Sequence, residues 1–284
     1  MIQQIGVPLL AATLLLDAAC FQPSSEALAE VLAPLVDDYG ERLGLVVESI
    51  ESGARFERHA QRLFPSASVY KLAVAHEVLR QVDLQELSPD DRLTIEAADA
   101  LEAEPGDLAV GEVISVGRAL EHMLGDSSNA AAYALMRMLG RPQLNAALAD
   151  LGLPRTSVPV LASDAARPGP PPIDPQVAVT TPADMAHLLR LVATEQTLTP
   201  DSRAELHRLL ALEEPGEPLG GVLPSGIEVW AKTGNLPGTT NMAGLIGTPG
   251  GAVIISVFTE SVDPTEARAT IAAIGRAVYH LYAP

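Results

Sequence analysis

Three short motifs, met in one order along the chain, constrain this sequence more than any other feature. They are Ser68-Val69-Tyr70-Lys71, then Ser127-Ser128-Asn129, then Lys232-Thr233-Gly234. A lone S-x-x-K is common in a chain of this length; the three together are not. On a helix, residues i and i+3 share a face, so Lys71 can reach the Ser68 hydroxyl and assist its deprotonation. If Ser68 opens that helix, the backbone amides there are unpaired and can hold a developing oxyanion. Ser127 offers a relay hydroxyl and Lys232 a fixed positive charge. The three motifs imply one acyl-transfer site.

The fold expected around that site is α+β, and helix punctuation carries much of the reading. Ser24 or Ser25 opens an apolar-periodic helix to about Tyr39, with Gly40 as its stop. Leu43 to Ile50 and Arg55 to His59 flank Glu51-Ser52-Gly53-Ala54 and read as a hairpin. Ser66 or Ala67 starts the helix of the first motif. Ser115 precedes a short helix ended by Gly125, and Asn129 to Leu139 is helical up to Gly140. Thr181-Pro182-Ala183-Asp184 supplies a cap, a proline at the first helical position and an acid in the first turn. Asp263-Pro264-Thr265-Glu266 repeats that grammar and opens a last helix to about Leu281. Late strands run over Glu228 to Thr233, Met242 to Gly247 and Ala252 to Glu260, with a turn at Thr248-Pro249-Gly250-Gly251.

Two early and three late strands predict a five-stranded antiparallel sheet made from both chain ends and covered by the terminal helices. The expected division is a sheet lobe of residues 24–65 and 214–284 and an inserted all-helical lobe of residues 66–213. The site then falls between the lobes. Within the helical lobe, residues 156–179 form a Pro-rich, omega-like loop: the five prolines of Arg167 to Pro175 exclude a helix and favour a stiff, extended path.

Composition narrows the function. Hydrophobic residues make up 48% of the 284, enough for a sizeable core. A net charge of −18 lacks the basic footprint a nucleic-acid binder needs. The single cysteine, Cys20, excludes an internal disulfide. The six histidines show no metal-ligand spacing, so neither a metal site nor a cofactor is expected. Residues 1–23 fit two readings. The apolar run Ile5 to Ala19 has the length of a signal-peptide core, although no Lys or Arg precedes it and Pro8 and Asp17 interrupt it. Alternatively it is an N-terminal helix packed on the domain. Leu16-Asp17-Ala18-Ala19-Cys20 has the outline of a lipoprotein cleavage site, with Asp17 where a small or apolar residue is expected. An extracytoplasmic protein follows from the first reading, its only membrane tether being a lipidated Cys20.

The motifs resemble those of the class A serine β-lactamases and their penicillin-binding relatives. Phe64 to Lys71 reads like that family's F-P-x-x-S-x-F/Y-K. Glu86-Leu87-Ser88-Pro89-Asp90-Asp91-Arg92-Leu93, Thr180 to Met185, and Ile271-Ala272-Ala273-Ile274-Gly275 are similar as well, so the resemblance spans about residues 24–284. It implies Ser68 as nucleophile, Lys71 as base, Ser127 as proton shuttle to the leaving nitrogen, and Asn129 as the group orienting Lys71 and the substrate amide. Lys232 and Thr233 would face a substrate carboxylate, with Gly234 leaving room for close approach of an edge strand. The backbone amides of Asn235 and Ser68 would form the oxyanion hole. Arg268 matches a position where relatives carry a carboxylate-binding arginine, and reads almost equally as a solvated helix arginine. Trp230 reads as a core anchor rather than a cleft wall. The substrate is then a small molecule, either a β-lactam or a D-Ala-D-Ala-like peptide or ester, and the protein is expected to act as a monomer.

The departures from the family pattern are specific. Ser128 stands where an aspartate is usual, which predicts loss of a buried charge and of scaffold hydrogen bonds. Met242 replaces a common acid. The omega-loop glutamate that drives deacylation is absent: no glutamate occurs from Thr156 to Val179. Ala162 falls near its place, and Asp164, two residues on, is the substitute available for water activation. The sequence therefore predicts retained acylation and slow deacylation. The rival readings are a D,D-peptidase or esterase on the same site, or a module that binds penicillin and keeps it.

Overall fold

The computed structural model describes residues 22–101, 103–159, 178–212, 218–219 and 221–283. Its centre is a sheet whose inner strands are buried on both faces, so they read as apolar runs rather than alternating ones. Leu43–Ser49 (β1) is buried along its whole length. Its odd-numbered Leu43, Leu45 and Val47 join one cluster, while Val46 joins another on the opposite face. Arg55–Arg58 (β2) pairs with β1, and the strand order β2-β1-β9-β8-β7 is antiparallel throughout, with Val229–Leu236 (β7), Thr239–Thr248 (β8) and Gly251–Thr259 (β9).

Helices Ser25–Val36 (α1) and Pro264–Tyr282 (α8) cover one face. Leu28, Leu32 and Val36 of α1 and Ile271, Ile274 and Val278 of α8 pack there on Ile255 and Val257. Met242 lies in the same apolar cluster, a setting that would leave an acid unpaired. Pro182–Ala193 (α6) takes the other face, with Thr181 accepting from the Asp184 amide as its cap. Gly44 makes that approach feasible, since a Cβ there would sit 2.5 Å from the Phe64 ring and 2.7 Å from Pro182. Among the described residues between β2 and β7 the longer elements are helices, gathered around Lys71–Asp83 (α2), which is buried without interruption from Lys71 to Leu79. A helix sealed on all sides is the hub of its layer, and Val116–Leu124 (α3), Asn129–Leu139 (α4), Arg141–Asp150 (α5) and Pro200–Leu210 (α7) all pack on it. His76 sits in that interior; burial pushes its imidazole down to about 4, so it is neutral at physiological pH.

The structure differs from the sequence reading in three respects. First, α1 stops at Val36 and gives way to a 3-10 segment, Asp37–Arg42, with Gly40 at φ 54°, so the expected end at Tyr39 is a tighter turn. Second, β7 runs on to Leu236, because Gly234, Asn235 and Leu236 stay in register with Asn241, Thr240 and Thr239 despite their weak strand propensity. Third, two two-stranded ribbons and two helices were not anticipated. The ribbons, Phe64–Pro65 (β3) with Val179–Thr180 (β6) and Arg92–Thr94 (β4) with Val113–Ser115 (β5), are too short to show a period. Of the helices, α7 repeats the Thr-Pro-Asp grammar at Thr199-Pro200-Asp201 and was legible; α5 has no side-chain cap.

Candidate active site

Ser68 stands in a 3-10 turn, Ala67–Tyr70, that leads into α2. In such a turn positions i and i+3 nearly eclipse, which brings Ser68 and Lys71 to the same side more directly than an α-helix would. Ala67 is held at φ 47°, a left-handed conformation that costs a residue with a Cβ on the order of 1–3 kcal/mol. Neighbouring bonds impose it: the Ser66 amide donates to Ala178 O at 2.8 Å and the Val69 amide to Ser66 O at 3.1 Å. Ser127, the first residue of the second motif, is likewise left-handed at φ 55°. Both strained residues border the same cleft.

Lys71 ties these turns together. It is fully buried, and its Nζ donates to Ser127 O at 2.5 Å, to Asn129 Oδ1 at 2.8 Å and to Ser127 Oγ at 3.3 Å. Lys232 is also fully buried, within β7. These are the chain's only two lysines; every other basic residue among the 18 Lys and Arg is arginine. Both lysines belong to the three motifs.

The third motif reaches the nucleophile through its glycine. A Cβ on Gly234 would lie 2.8 Å from the Ser68 amide nitrogen, 2.9 Å from Ala67 Cβ and 2.9 Å from Ser66 O. The edge strand β7 therefore rests directly on the turn that carries Ser68. Between them opens a cleft of about 370 Å³ whose wall includes Ser68, Ser127, Asn129, Thr233, Gly234 and Asn235. Residues 26–282 match the family model described as "Beta-lactamase enzyme family".

The chain belongs to that β-lactamase family.

Solved structures agree: an ancestral class A β-lactamase is 31% identical with a TM-score of 0.77, covering 89% of this chain and 99% of its own. Among curated proteins, β-lactamase CTX-M-8 of Citrobacter amalonaticus is 28% identical, covering 92% of this chain and 91% of its own. A β-lactamase of Rhodobacter capsulatus is 26% identical over 84% of this chain and 82% of its own. PBP-A, solved as a point mutant in an acyl-enzyme complex with penicillin G, shares the fold at 23% identity and a TM-score of 0.77, covering 91% of this chain and 98% of its own. The chain is thus a β-lactamase-like serine hydrolase with the α+β fold of class A.

In this β-lactamase relative the substitution at Ser128 has an answer that the sequence did not show. Ser128 does not stand without a carboxylate, because Asp107, from a separate loop, is bonded to it and to the start of α4. Its Oδ1 accepts from Ser128 Oγ at 2.5 Å, and its Oδ2 accepts from the amides of Asn129 at 3.0 Å and Ala130 at 3.1 Å. Burial alone would raise the Asp107 carboxyl, but the Ser128 hydroxyl and the amides of Leu108, Ala130 and Asn129 hold it below the usual range. Asp107 lies in a loop without periodicity, so no local signal marks it.

Other cleft residues were also missed. Tyr133 lies one turn along α4 from Asn129, a spacing that places both on one face and could have been read. Glu104 and Asp126 are exposed carboxylates on the wall. Tyr70 is no alternative base: burial first, and the Tyr133 phenol second, push it well above its ordinary value.

Of the remaining expectations, Trp230 stacks on His207, ring centroids 4.4 Å apart, and packs against the core. Arg268 lies near the start of α8 and is half-buried. Ala162, Asp164, Cys20 and the export segment lie outside the described residues. Both ends of the omega-like loop are described, and they are pinned. The Ser157 amide donates to Val179 O at 2.8 Å, Thr156 and Thr180 share a hydroxyl bond of 2.8 Å, and Asp184 Oδ2 accepts from Thr156 Oγ1 at 2.8 Å. Pro159 and Ala178, just inside those pins, reach the cleft.

Proposed function

We propose that this protein acylates itself at Ser68 with penicillin-type β-lactams and releases the product slowly. Lys71 in its neutral form takes the Ser68 proton as Oγ adds to the lactam carbonyl. The carbonyl oxygen gathers charge against the amides of Ser68 and Asn235. The C–N bond then breaks, and the departing nitrogen receives a proton through Ser127 Oγ, which Lys71 replenishes. Asn129 fixes Lys71 and the substrate amide, while Lys232 and Thr233, with Arg268 as a further candidate, attract the substrate carboxylate. The observation that carries the reading is the buried Lys71 Nζ, bonded to both Ser127 and Asn129 three residues from Ser68.

Hydrolysis of the acyl-enzyme needs a group that activates water, and no glutamate occurs between Thr156 and Val179. Asp164 is the substitute that the sequence offers. Penicillin turnover should show a burst matching the enzyme concentration, followed by a poor steady state. Intact-mass spectrometry should find a persistent adduct, and Ser68→Ala should abolish it. Undiminished labelling of that variant would sink the mechanism, and a fast, burst-free wild type would make the protein an efficient β-lactamase. The missing glutamate equally favours a second reading, a penicillin-binding module that traps its ligand, and the PBP-A likeness supports the fold such a module needs. A D,D-peptidase or esterase would instead turn over peptide or ester while consuming no more β-lactam than one equivalent per enzyme. Export through residues 1–23 and a monomeric state complete the proposal.

A further inference from the structure

We propose that Asp107 is a positioning residue for acylation, acting through the start of α4 on Asn129 and Lys71. The proposal rests on the acyl-transfer reading above and adds a residue to it. Asp107 takes two successive amides of α4, those of Asn129 and Ala130, on one oxygen, while its other oxygen takes the Ser128 hydroxyl and its own neighbour, the Leu108 amide, at 2.7 Å. Ser128 Oγ in turn accepts from the Ala131 amide at 2.9 Å. Three amides of a helix end are thus satisfied, and a negative charge sits where the helix dipole favours one. The Asn129 backbone held in this way carries the Oδ1 that receives Lys71 Nζ. The preceding residue, Ser127, is the one in a left-handed conformation, and its carbonyl receives the same Nζ. A strained residue persists only when its surroundings fix it, and Asp107 fixes the segment immediately after it.

Asp107 touches neither Ser68 nor the reacting atoms, so its loss should change the rate of acylation more than the binding of substrate. In single-turnover stopped-flow with penicillin G, Asp107→Asn should slow acylation by roughly ten- to a hundredfold, the loss expected for one or two charge-assisted hydrogen bonds. The concentration that half-saturates the rate should move by less than about threefold. The double exchange Asp107→Ser with Ser128→Asp should recover most of the rate, because it returns a carboxylate to the same junction from the other side. With only two lysines in the chain, ¹³C-lysine NMR gives an independent reading: the Lys71 signal should move in Asp107→Asn while that of Lys232 stays. If wild type acylates and Asp107→Asn acylates at the same rate with an unmoved Lys71 signal, the proposal is overturned. A lowered melting temperature with unchanged acylation overturns it too, since that is the mark of a purely structural residue. A wild type that fails to acylate while the Lys71 signal still responds overturns only the acyl-transfer reading.

Discussion

The two helix starts that meet in the cleft are built in opposite ways. At α4, side chains take the amides of Asn129, Ala130 and Ala131, and a carboxylate completes the cap. At the turn before α2, no side chain among the described residues caps the backbone, and Gly234 of the neighbouring strand comes so close to the Ser68 amide that a Cβ would not fit. A satisfied helix end holds its side chains still. An uncapped end keeps amide dipoles available for charge that appears during a reaction. The same kind of group is therefore closed by side chains in one place and left beside the cleft without a described side-chain cap in the other.

Lys71 joins the two ends, so its removal should have the largest effect of the three substitutions set against this contrast. Lys71→Ala should slow acylation by about two orders of magnitude or more, the loss expected for a positioned base. Rapid acylation of that variant at neutral pH would show that some other group serves. Next comes Gly234→Ala, which acts on the uncapped end alone by forcing β7 away from Ala67 and Ser68. A fall of roughly ten- to a hundredfold in acylation rate is expected from displaced oxyanion donors. An unchanged rate would mean that the turn and strand separate freely, and the close approach would lose its meaning. The smallest effect belongs to the capped end. Ser128→Ala removes the side-chain cap of α4 and should lower stability by about 1 kcal/mol in urea unfolding. Because Asp107 keeps its bonds to Asn129 and Ala130, acylation should fall less than in Asp107→Asn.

Most of the secondary structure was legible, since its signals act over a few residues. Ser115, Thr181 and Asp263 cap the helices they were expected to open. The continuous apolar runs of β1, β8 and β9 pair as one sheet. The motif residues Ser68, Ser127, Asn129, Thr233 and Gly234 line one cleft, with Lys71 buried among their neighbours. Where the reading fell short, the signal was too brief or belonged to distant partners. The ribbons of two and three residues give periodicity nothing to act on. Ser128 looked like a lost charge because a local window shows what a position lacks and not what another segment brings to it.

The sequence by itself determined most of the element types, several of their caps and the motif side chains that share the cleft, because propensity, hydrophobic period and capping are contests among neighbours along the chain. It also confined lysine to two positions, Lys71 and Lys232, both of them buried. Tertiary structure alone decided that Asp107 would close the start of α4 and that Gly234 would rest on the Ser68 amide. Each of those outcomes depends on how separate elements pack, and packing is settled by the shapes and unpaired polar groups of surfaces that meet only once the chain has folded.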